Sequence, residues 1–225
     1  NKENLIFKDL NIEIKNGQFA SIFGPSGCGK TTLLNIISGL DQDFTGSVEI
    51  ENNDNKNISY MFQTPRLFPW LTAIENIKFP IKKKAGSEKI ANELIKKVGL
   101  DKFKNQFPSK LSGGMQRRVA LARAFAPNPK ILLLDEPFIS IDEKIAFTLR
   151  SLLIKLWKKN KPTIVFVTHN LDEAMELADK IFFLSSLPSK VLLDYSLNLR
   201  RPRKKDSKKF TLIKRLLSSS TNTKI

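Results

Sequence analysis

Three stretches of the sequence combine residue types and spacing that suit chemistry on a phosphate group. The first, Gly-Pro-Ser-Gly-Cys-Gly-Lys-Thr at residues 24–31, fits G-x-x-x-x-G-K-[ST] between a predicted strand and a predicted helix. Glycines let backbone N–H groups turn toward a phosphate, while the lysine adds a cation that reaches the β- and γ-phosphates and the hydroxyl adds a Mg²⁺ ligand. The pattern predicts a nucleotide phosphate site made of Gly24, Pro25, Ser26, Gly27, Cys28, Gly29, Lys30, Thr31 and Thr32.

The second stretch is a pair of acids, Asp135 and Glu136, that follows the apolar run 131–134. If this run is a buried strand of an open α/β sheet, both acids lie at its carboxyl end, where ligands bind in such folds. We expect Asp135 to hold Mg²⁺, directly or through water, and Glu136 to polarise an attacking water. The alternative is that the acids cap the next helix; its predicted start near Asp142 weakens that alternative.

The third stretch contains His169, the only histidine, which follows the apolar run 163–168. A lone histidine is more commonly a surface or core residue. Here, however, a predicted sheet strand ends just before it, which places it at the same sheet edge as the phosphate loop. We expect His169 to contact the γ-phosphate.

Ser112-Gly113-Gly114 opens a predicted helix that runs to about Phe125. A helix start with bare N–H groups is a second potential anion site. One chain has little use for two such sites on one triphosphate. Taken alone, Ser-Gly-Gly is also compatible with a simple turn.

An apolar loop, FQTPRLFPWLT at residues 62–72, contains two prolines and is therefore neither a continuous helix nor a central strand. Its side chains Leu67, Phe68, Trp70 and Leu71 need an apolar neighbour. They either fold onto their own subdomain or form a socket for a partner, and we favour the socket.

The remaining elements follow from hydrophobic periodicity. Strands are predicted at 10–15, 18–23, near 47–51, 58–62, 131–134, 163–168 and 181–184. Helices are predicted after the phosphate loop, from the capping box at 72–75, and at 87–98, 143–159 and 171–178. The helix 143–159 is expected to turn Ile145, Leu149, Leu152 and Leu156 inward. Apolar strands that alternate with helices predict a largely parallel sheet covered on both faces.

Composition sets broader limits. The 225 residues, 41% of them hydrophobic, suit one globular domain, and the single cysteine excludes an intrachain disulfide. We find no segment of the kind that spans a membrane. The net charge of +16 is spread along the chain without a nucleic-acid-binding motif, so no nucleic acid is expected as a partner. The densest basic cluster, residues 199–209, is interpreted as a solvated tail.

Together these motifs resemble ABC-type ATPases over essentially the whole chain. Leu-Ser-Gly-Gly-Met-Gln at 111–116 is similar to the "LSGGQ" signature of that family, between the phosphate loop and the Asp-Glu strand. The resemblance implies a P-loop NTPase core with a mainly parallel sheet, an N-terminal antiparallel β-subdomain and an inserted α-helical subdomain. It gives 1–71 and 127–198 as the nucleotide-binding core, 72–126 as the helical subdomain and 199–225 as the basic tail.

The resemblance also implies roles for residues. Two cassettes pack head-to-tail, so that Ser112, Gly113, Gly114 and Gln116 of one chain hold the ATP bound by the other. Gln63 matches the Q-loop glutamine and joins Thr31 and Asp135 around Mg²⁺. Glu136 matches the catalytic glutamate, with Lys30 and His169 as its catalytic companions. Asp142 matches the D-loop aspartate that crosses the dimer interface; the alternative is a helix N-cap.

Two departures from the family pattern stand out. The usual "SALD" is Ile-Ser-Ile-Asp at 139–142, which lacks the leading serine. The spacing of the adenine-stacking aromatic falls on Asn1, so that residue is expected either upstream or not at all.

The resemblance further implies ATP and Mg²⁺ as cofactors and a second ATPase subunit, as a homodimer. Transmembrane permeases and, indirectly, a solute-binding protein are the other partners implied. The chain is expected at the cytoplasmic face of the cell membrane, as a peripheral subunit. "LFPWLT" and "LRRPR" look most like importers of nitrate, sulfonate or taurine. Exporters, lipid-extruding systems, non-transport ABC ATPases and a non-catalytic scaffold stay open as alternatives.

Overall fold

The computed structural model of the protein describes residues 5–50, 57–139 and 141–222. Three residues that take part in predictions above lie outside these ranges, namely Asn1, Glu51 and Ser140. The chain divides into two compact units, Asn1–Ile50 with Thr163–Ile225, and Glu51–Pro162. The predicted boundaries of core, helical subdomain and tail differ from these bounds and stay a prediction.

Strands and helices alternate along most of the described chain. In chain order they are β1 (Phe19–Phe23), α1 (Lys30–Ser38), β2 (Ile58–Met61), α2 (Ala73–Lys78), α3 (Ser87–Lys97), α4 (Gly113–Phe125), β3 (Ile131–Asp135), α5 (Glu143–Asn160), β4 (Thr163–Thr168), α6 (Leu171–Leu177), β5 (Lys180–Leu184), β6 (Val191–Ser196) and α7 (Lys208–Asn222). Short 3₁₀ turns occur at Phe79–Ile81, Asp101–Phe103 and Pro108–Lys110.

The first unit is built on strand β1. It pairs in parallel with β4 on one side and with β5 on the other, and β6 pairs antiparallel with β5. Phe19, Ile22, Phe166 and Phe182 are almost completely buried in these strands. Burying such side chains stabilises the fold by about 1.5–3 kcal/mol each.

The second unit combines a parallel strand pair with helices. Strands β2 and β3 pair in parallel, with Ile58 opposite Ile131 and Met61 opposite Leu134. Helix α2 lies against α3 and α4, and α4 also contacts β2 and α5. The predicted α/β class with a mainly parallel sheet is therefore confirmed.

Helices α2, α4 and α5 of the second unit begin where a side chain accepts a hydrogen bond from one of their first N–H groups. Thr72 and Glu75 form the predicted capping box, in which the threonine hydroxyl accepts from Glu75 N–H and the glutamate accepts from Thr72 N–H. Hydrogen bonding to Thr72 also lowers the pKa of the Glu75 carboxyl. The helix start is thus fixed locally.

Two N-terminal strand predictions are wrong in the described residues. Residues 10–15 and 47–50 form no strand, so the described residues supply no strand for the predicted antiparallel β-subdomain. The alternation at 10–15 does govern burial, since Leu10, Ile12 and Ile14 are half-buried and the residues between them exposed. Alternation sets which face is covered, whereas a strand also needs a partner backbone for its hydrogen bonds.

One predicted core residue of α5 is wrong as well. Leu149, Leu152 and Leu156 are buried, but Ile145 is exposed. Ile145 packs against α4, where a methyl group added to Gly114 would lie 2.9 Å from Ile145 Cγ2. The helical period places Ile145 on the apolar face of α5, but it does not predict which element packs against that face or how fully the side chain is covered.

The interpretation of residues 199–209 as a solvated tail is also wrong at two arginines. Arg201 donates to the carbonyl of Leu177 and forms a 2.7 Å ion pair with Asp179. Arg203 is buried and donates to the carbonyls of Met175 and Ala178. They satisfy carbonyls at the end of α6 that have no partner inside the helix.

Strand β6 and helix α7 were not predicted. Helix α7 packs against α6 and buries Phe210 and Leu217. Its Lys214 pairs with Asp172 of α6 at 2.6 Å. No helix in the described ranges, α7 included, has both the length and the apolar character needed to cross a membrane.

We expect Arg203→Ala to lower the free energy of unfolding by at least about 2 kcal/mol, because buried carbonyls lose their donor. Loss of solvation, reinforced by nearby Arg201, lowers the pKa of Arg203 to about 10, which shows how closely this cation is enclosed. Urea denaturation measures the effect. Exposed Lys204→Ala is the control and should change stability by less than about 0.5 kcal/mol. Equal effects of the two substitutions would contradict a structural role for Arg203.

Candidate nucleotide site

The predicted phosphate loop connects β1 to α1. Lys30, the first residue of α1, is buried, and its Nζ donates to the carbonyls of Gly24 at 2.9 Å and Pro25 at 2.7 Å. Ser26, Gly27 and Thr31 are exposed. A lysine held over an open loop at a helix start gives an electropositive platform for an anion.

Gly29 is the most constrained residue of this loop. It stands at the N-cap of α1 with φ of 91°, a conformation that glycine adopts without strain. A methyl group added there would lie 2.5 Å from Ile6 Cγ2 and 3.0 Å from Phe7 Cζ. No described side chain caps the start of α1. The absence of a side chain at Gly29 therefore lets residues 6 and 7 approach the loop from the side.

Cys28 supports the loop from inside the fold. Its side chain is buried. A methyl group added to Gly24 would lie 2.9 Å from the Cys28 Sγ atom. Burial raises the pKa of the Cys28 thiol, although the nearby Lys30 opposes this. Its burial and its position beside Gly24 make the thiol a packing group of the loop.

The strand register brings His169 to the same sheet edge as the phosphate loop. Phe23, the last residue of β1, pairs with Thr168, the last residue of β4. Gly24 and His169 follow these two residues directly, and His169 is exposed. The Thr168 hydroxyl donates to Glu173 at 2.6 Å and accepts from Asn170 N–H at 3.0 Å, which fixes the backbone on both sides of the histidine.

A similar register in the second unit brings Gln63 close to the acids. Met61 pairs with Leu134, so Gln63 follows β2 at the level where Glu136 follows β3. Asp135 is buried, whereas Glu136 is half-buried and Gln63 exposed. Desolvation, together with the charge of Asp135, raises the pKa of the neighbouring Tyr60.

The backbone of Glu136 is strained. Its φ of 41° is left-handed, a region that non-glycine residues adopt at a cost of order 1–3 kcal/mol. Such strain commonly occurs where a side chain must point in a direction that the regular strand does not allow. It supports a specialised role for this carboxylate.

The signature segment forms the N-terminus of α4. The Ser112 hydroxyl accepts from Met115 N–H at 3.3 Å, Gly113 is exposed and Gly114 is buried. The Gln116 side chain donates to the carbonyls of Pro108 and Leu111. Within this chain, Gln116 therefore anchors the segment that precedes α4; its predicted contact with a second chain's nucleotide is untested.

Asp142 stands at the N-cap of α5, where its carboxylate accepts from Lys144 N–H at 2.8 Å. This is the alternative raised from the sequence. The side chain is exposed, and its predicted role at a dimer interface stays a prediction.

Two arginines of α4 bind the backbone of residues 63–66, which we call the Q-loop after the role predicted for Gln63, and the sequence analysis identified neither arginine. Arg117 donates to the carbonyls of Gln63 at 3.1 Å and Pro137 at 3.5 Å. Arg123 donates to the carbonyls of Pro65 and Arg66, each at 2.8 Å. Desolvation lowers the pKa of both guanidinium groups. The sequence shows an arginine-rich helix and a proline-rich loop, but it does not indicate which backbone carbonyls the arginines bind.

The apolar loop has an ordered inner side and an exposed tip. Leu67, Phe68 and Leu71 are half-buried, and the Phe68 ring lies 4.5 Å from that of Phe79. Trp70 is 69% exposed. Part of the loop thus folds onto its own unit, while Trp70 stays mostly exposed although its ring lies 5.5 Å from that of Phe68.

Buried Asn76 holds this loop in shape. Its side chain accepts from Phe68 N–H at 2.8 Å and donates toward the carbonyls of Phe68 and Leu71. The amide thereby pairs with backbone groups on both sides of Pro69. The presentation of Trp70 is set by α2, on which Asn76 stands.

The predicted magnesium ligands fit the ion chemically. They are the Thr31 hydroxyl, the Gln63 amide oxygen and the Asp135 carboxylate. All three are hard oxygen donors, which Mg²⁺ prefers together with phosphate oxygens and water. The described residues hold no cluster of three or more His, Cys, Asp or Glu side chains, so a carboxylate-rich metal centre is not present among them.

A glycine-rich loop that joins a parallel strand to a helix, with its lysine folded over it, defines a P-loop nucleotide-binding protein. The ABC transporter family profile matches residues 7–139, and the chain belongs to this family. Proteins of this family are ATPases, so the protein is an ABC-type ATPase that converts ATP and water to ADP and phosphate.

Several similar proteins are named as import ATP-binding proteins. The chain is 40% identical over 216 residues to the aliphatic sulfonates import ATP-binding protein SsuB of Bacillus cereus, covering 93% of this chain and 86% of the relative. It is 42% identical over 198 residues to SsuB 2 of Pseudomonas syringae pv. tomato, covering 88% and 84% respectively.

The fold is also similar to solved cassette structures. One is a dimeric bacterial ABC transporter cassette, with a TM-score of 0.76 and 36% identity over 87% of this chain and 92% of that one. Another is a dimeric post-hydrolysis cassette bound to ADP and Pi, with a TM-score of 0.72 and 35% identity at the same coverage.

We expect Gly29→Ala to weaken ATP binding at least about tenfold, because the added methyl group overlaps Ile6 and displaces the loop. Gly39→Ala is the matched control. Gly39 also has a left-handed φ, 74°, but nothing lies within 4 Å of an added methyl group there. Both variants carry backbone strain, and only Gly29→Ala is crowded. Similar ATP affinities of the two, measured by fluorescence titration, would contradict this account.

Proposed function

We propose that this ATPase is the energy-supplying subunit of an importer for a small anion of the nitrate, sulfonate or taurine type. The observation that carries the ATPase chemistry is the loop with Lys30 folded over it, at the sheet edge where His169 also stands. The import direction is supported by the names of the relatives, which are aliphatic sulfonate import proteins.

The residues of the first unit supply charge to the phosphates. In this proposal, loop N–H groups and Lys30 offset the negative charge of the β- and γ-phosphates, and exposed His169 donates to a γ-phosphate oxygen. Mg²⁺ would further neutralise charge on the phosphates, with the Thr31 hydroxyl as its ligand from this unit. Positioning and neutralisation supply most of the catalysis in phosphoryl transfer.

The residues of the second unit act on water. In this proposal, Glu136 orients a water molecule and accepts one of its protons as the water oxygen bonds to the γ-phosphorus. The bond from the γ-phosphorus to the ADP oxygen breaks in the same displacement, and the products are ADP and inorganic phosphate. Gln63, fixed through its carbonyl by Arg117, helps to orient the water and links this event to the apolar loop.

The helix start at Ser112, Gly113 and Gly114, together with Gln116, is assigned to the ATP of a second cassette. One triphosphate has little use for two helix N-termini of one chain, and the similar solved cassettes are dimers. We assign Asp142 to the same interface. ATP would then hold two identical chains head-to-tail, and its hydrolysis would release them.

We expect Glu136→Gln to lower ATP turnover at least about 100-fold while ATP affinity stays within about twofold, because the amide cannot take the proton. Steady-state phosphate release and ATP titration measure the two quantities. Exposed Glu93→Gln is the control. Unchanged turnover in Glu136→Gln would remove Glu136 as the base, and a folded parent protein without ATP affinity would contradict the proposed function itself.

The permease contact is assigned to the apolar loop, with Leu67, Phe68, Trp70 and Leu71 as its residues. Three further aromatic side chains of the same unit are exposed, namely Phe79, Phe103 and Phe107. Two backbone hydrogen bonds, from Ala73 N–H to Gln106 and from Ile74 N–H to Lys104, hold the segment that contains Phe103 and Phe107 beside α2. A cluster of exposed aromatic side chains is typical of a partner site. In this proposal the chain is a peripheral subunit at the cytoplasmic membrane face, held by permeases that receive solute from a binding protein.

We expect Trp70→Ala to reduce co-purification with the permease about tenfold or more, since exposed tryptophans commonly dominate binding energy. Stability and ATP affinity should not change, because the ring is exposed. Phe147→Ala is the matched control, since Phe147 is 59% exposed on α5 of the same unit. Loss of folding in Trp70→Ala would favour the packing alternative, and retained co-purification would remove Trp70 from the interface.

A further inference from the structure

We propose that Ser189, a residue outside every motif described above, is a positioning residue of the phosphate loop. It lies in the turn between β5 and β6 and is completely buried. Its hydroxyl donates to the carbonyl of Cys28 at 2.6 Å, across 161 positions of the sequence. The inference rests on the proposed role of this loop in ATP binding.

The hydroxyl proton is directed to the loop rather than to its own turn. Ser189 Oγ also lies 3.1 Å from the carbonyl of Ser185. A serine hydroxyl carries one proton, and the shorter contact, 2.6 Å, is the one to Cys28. The Cys28 carbonyl is buried with it, so this hydrogen bond is costly to remove.

Holding the Cys28 carbonyl fixes the direction of the next N–H group. The peptide between Cys28 and Gly29 is planar and trans, so its carbonyl and its N–H point to opposite sides. With the carbonyl held toward Ser189 inside the fold, the Gly29 N–H is directed to the opposite side, the side of the phosphate in our proposal. Ser189 thus orients a phosphate-binding donor without touching the phosphate.

The backbone of Ser189 ties the same loop to the N-terminal segment. Its N–H donates to the carbonyl of Ile6 at 2.7 Å, and its carbonyl accepts from Lys8 N–H at 3.2 Å. Ile6 and Phe7 are the side chains that press against Gly29. One buried serine therefore determines both the orientation of the Cys28–Gly29 peptide and the position of the residues that lean on it.

The test compares Ser189→Ala with Ser185→Ala in the full chain. Ser185 is the matched control, because its hydroxyl donates to Ser186 and accepts from Lys190 N–H within the same turn but does not contact the loop. We expect Ser189→Ala to weaken ATP and ADP binding about tenfold and Ser185→Ala to change it less than about twofold. Ser189→Cys keeps the size of the side chain and should fall between the two, because a thiol is a weak donor.

A spectroscopic readout separates positioning from a general loss of stability. With ¹⁵N-glycine labelling, the Gly29 amide is one of ten glycine signals, and ADP should shift it strongly in the parent and in Ser185→Ala. The shift should shrink in Ser189→Ala and in Ser189→Cys. Reduced affinity together with a reduced Gly29 shift supports the proposal.

Other outcomes would overturn it. If either Ser189 variant is folded and binds ATP within about twofold of the parent, Ser189 has no positioning role. A parent protein without ATP binding would overturn the proposed function and this inference together. Because the parent is measured alongside the variants, the two failures are distinguishable.

Discussion

The parallel pairing of β1 with β4 and β5 is the constraint on which the first unit depends. It fixes Phe23 against Thr168, so the phosphate loop and His169 leave the sheet at one level. Phe19, Ala20, Ser21 and Ile22 are all buried, so β1 is packed on both faces and a shift of register by one residue would have to repack both of them. Hydrophobic burial in these strands therefore sets the position of the phosphate loop and of His169.

Arginine side chains that donate to backbone carbonyls hold several irregular segments of the described chain. Arg203 binds carbonyls at the end of α6, and Arg123 and Arg117 bind carbonyls of the Q-loop. These segments have no strand or helix partner for their own C=O groups, and an unpaired buried carbonyl is costly. A forked guanidinium can satisfy several carbonyls at once, which explains why arginine stands at these positions. The basic composition is in this respect partly structural.

The proposed function is divided between a general and a specific part of the molecule. In the proposal, the phosphate loop, the two acids and His169 act on ATP, and nothing in their chemistry depends on which solute is transported. In the proposal, specificity for a partner lies instead in the apolar loop, whose aromatic tip is presented by Asn76 and tied through Arg123 to α4. Helix α4 thus contacts both Gln63 and the residues that precede the apolar tip of the loop. In the proposal, a movement of α4 would therefore shift both.

The sequence by itself determined the parts that depend on local patterns. The loop at 24–31, the acids after β3, the capping box and most helix and strand positions follow from spacing and periodicity, because neighbouring residues alone satisfy those rules. Tertiary structure decided the rest. It left residues 10–15 without a strand, gave Ile145 a neighbour on α4, buried Arg201 and Arg203, and joined Ser189 to Cys28. These outcomes depend on which distant backbone group needs a partner, and a pattern along the chain cannot encode a contact made across 161 positions.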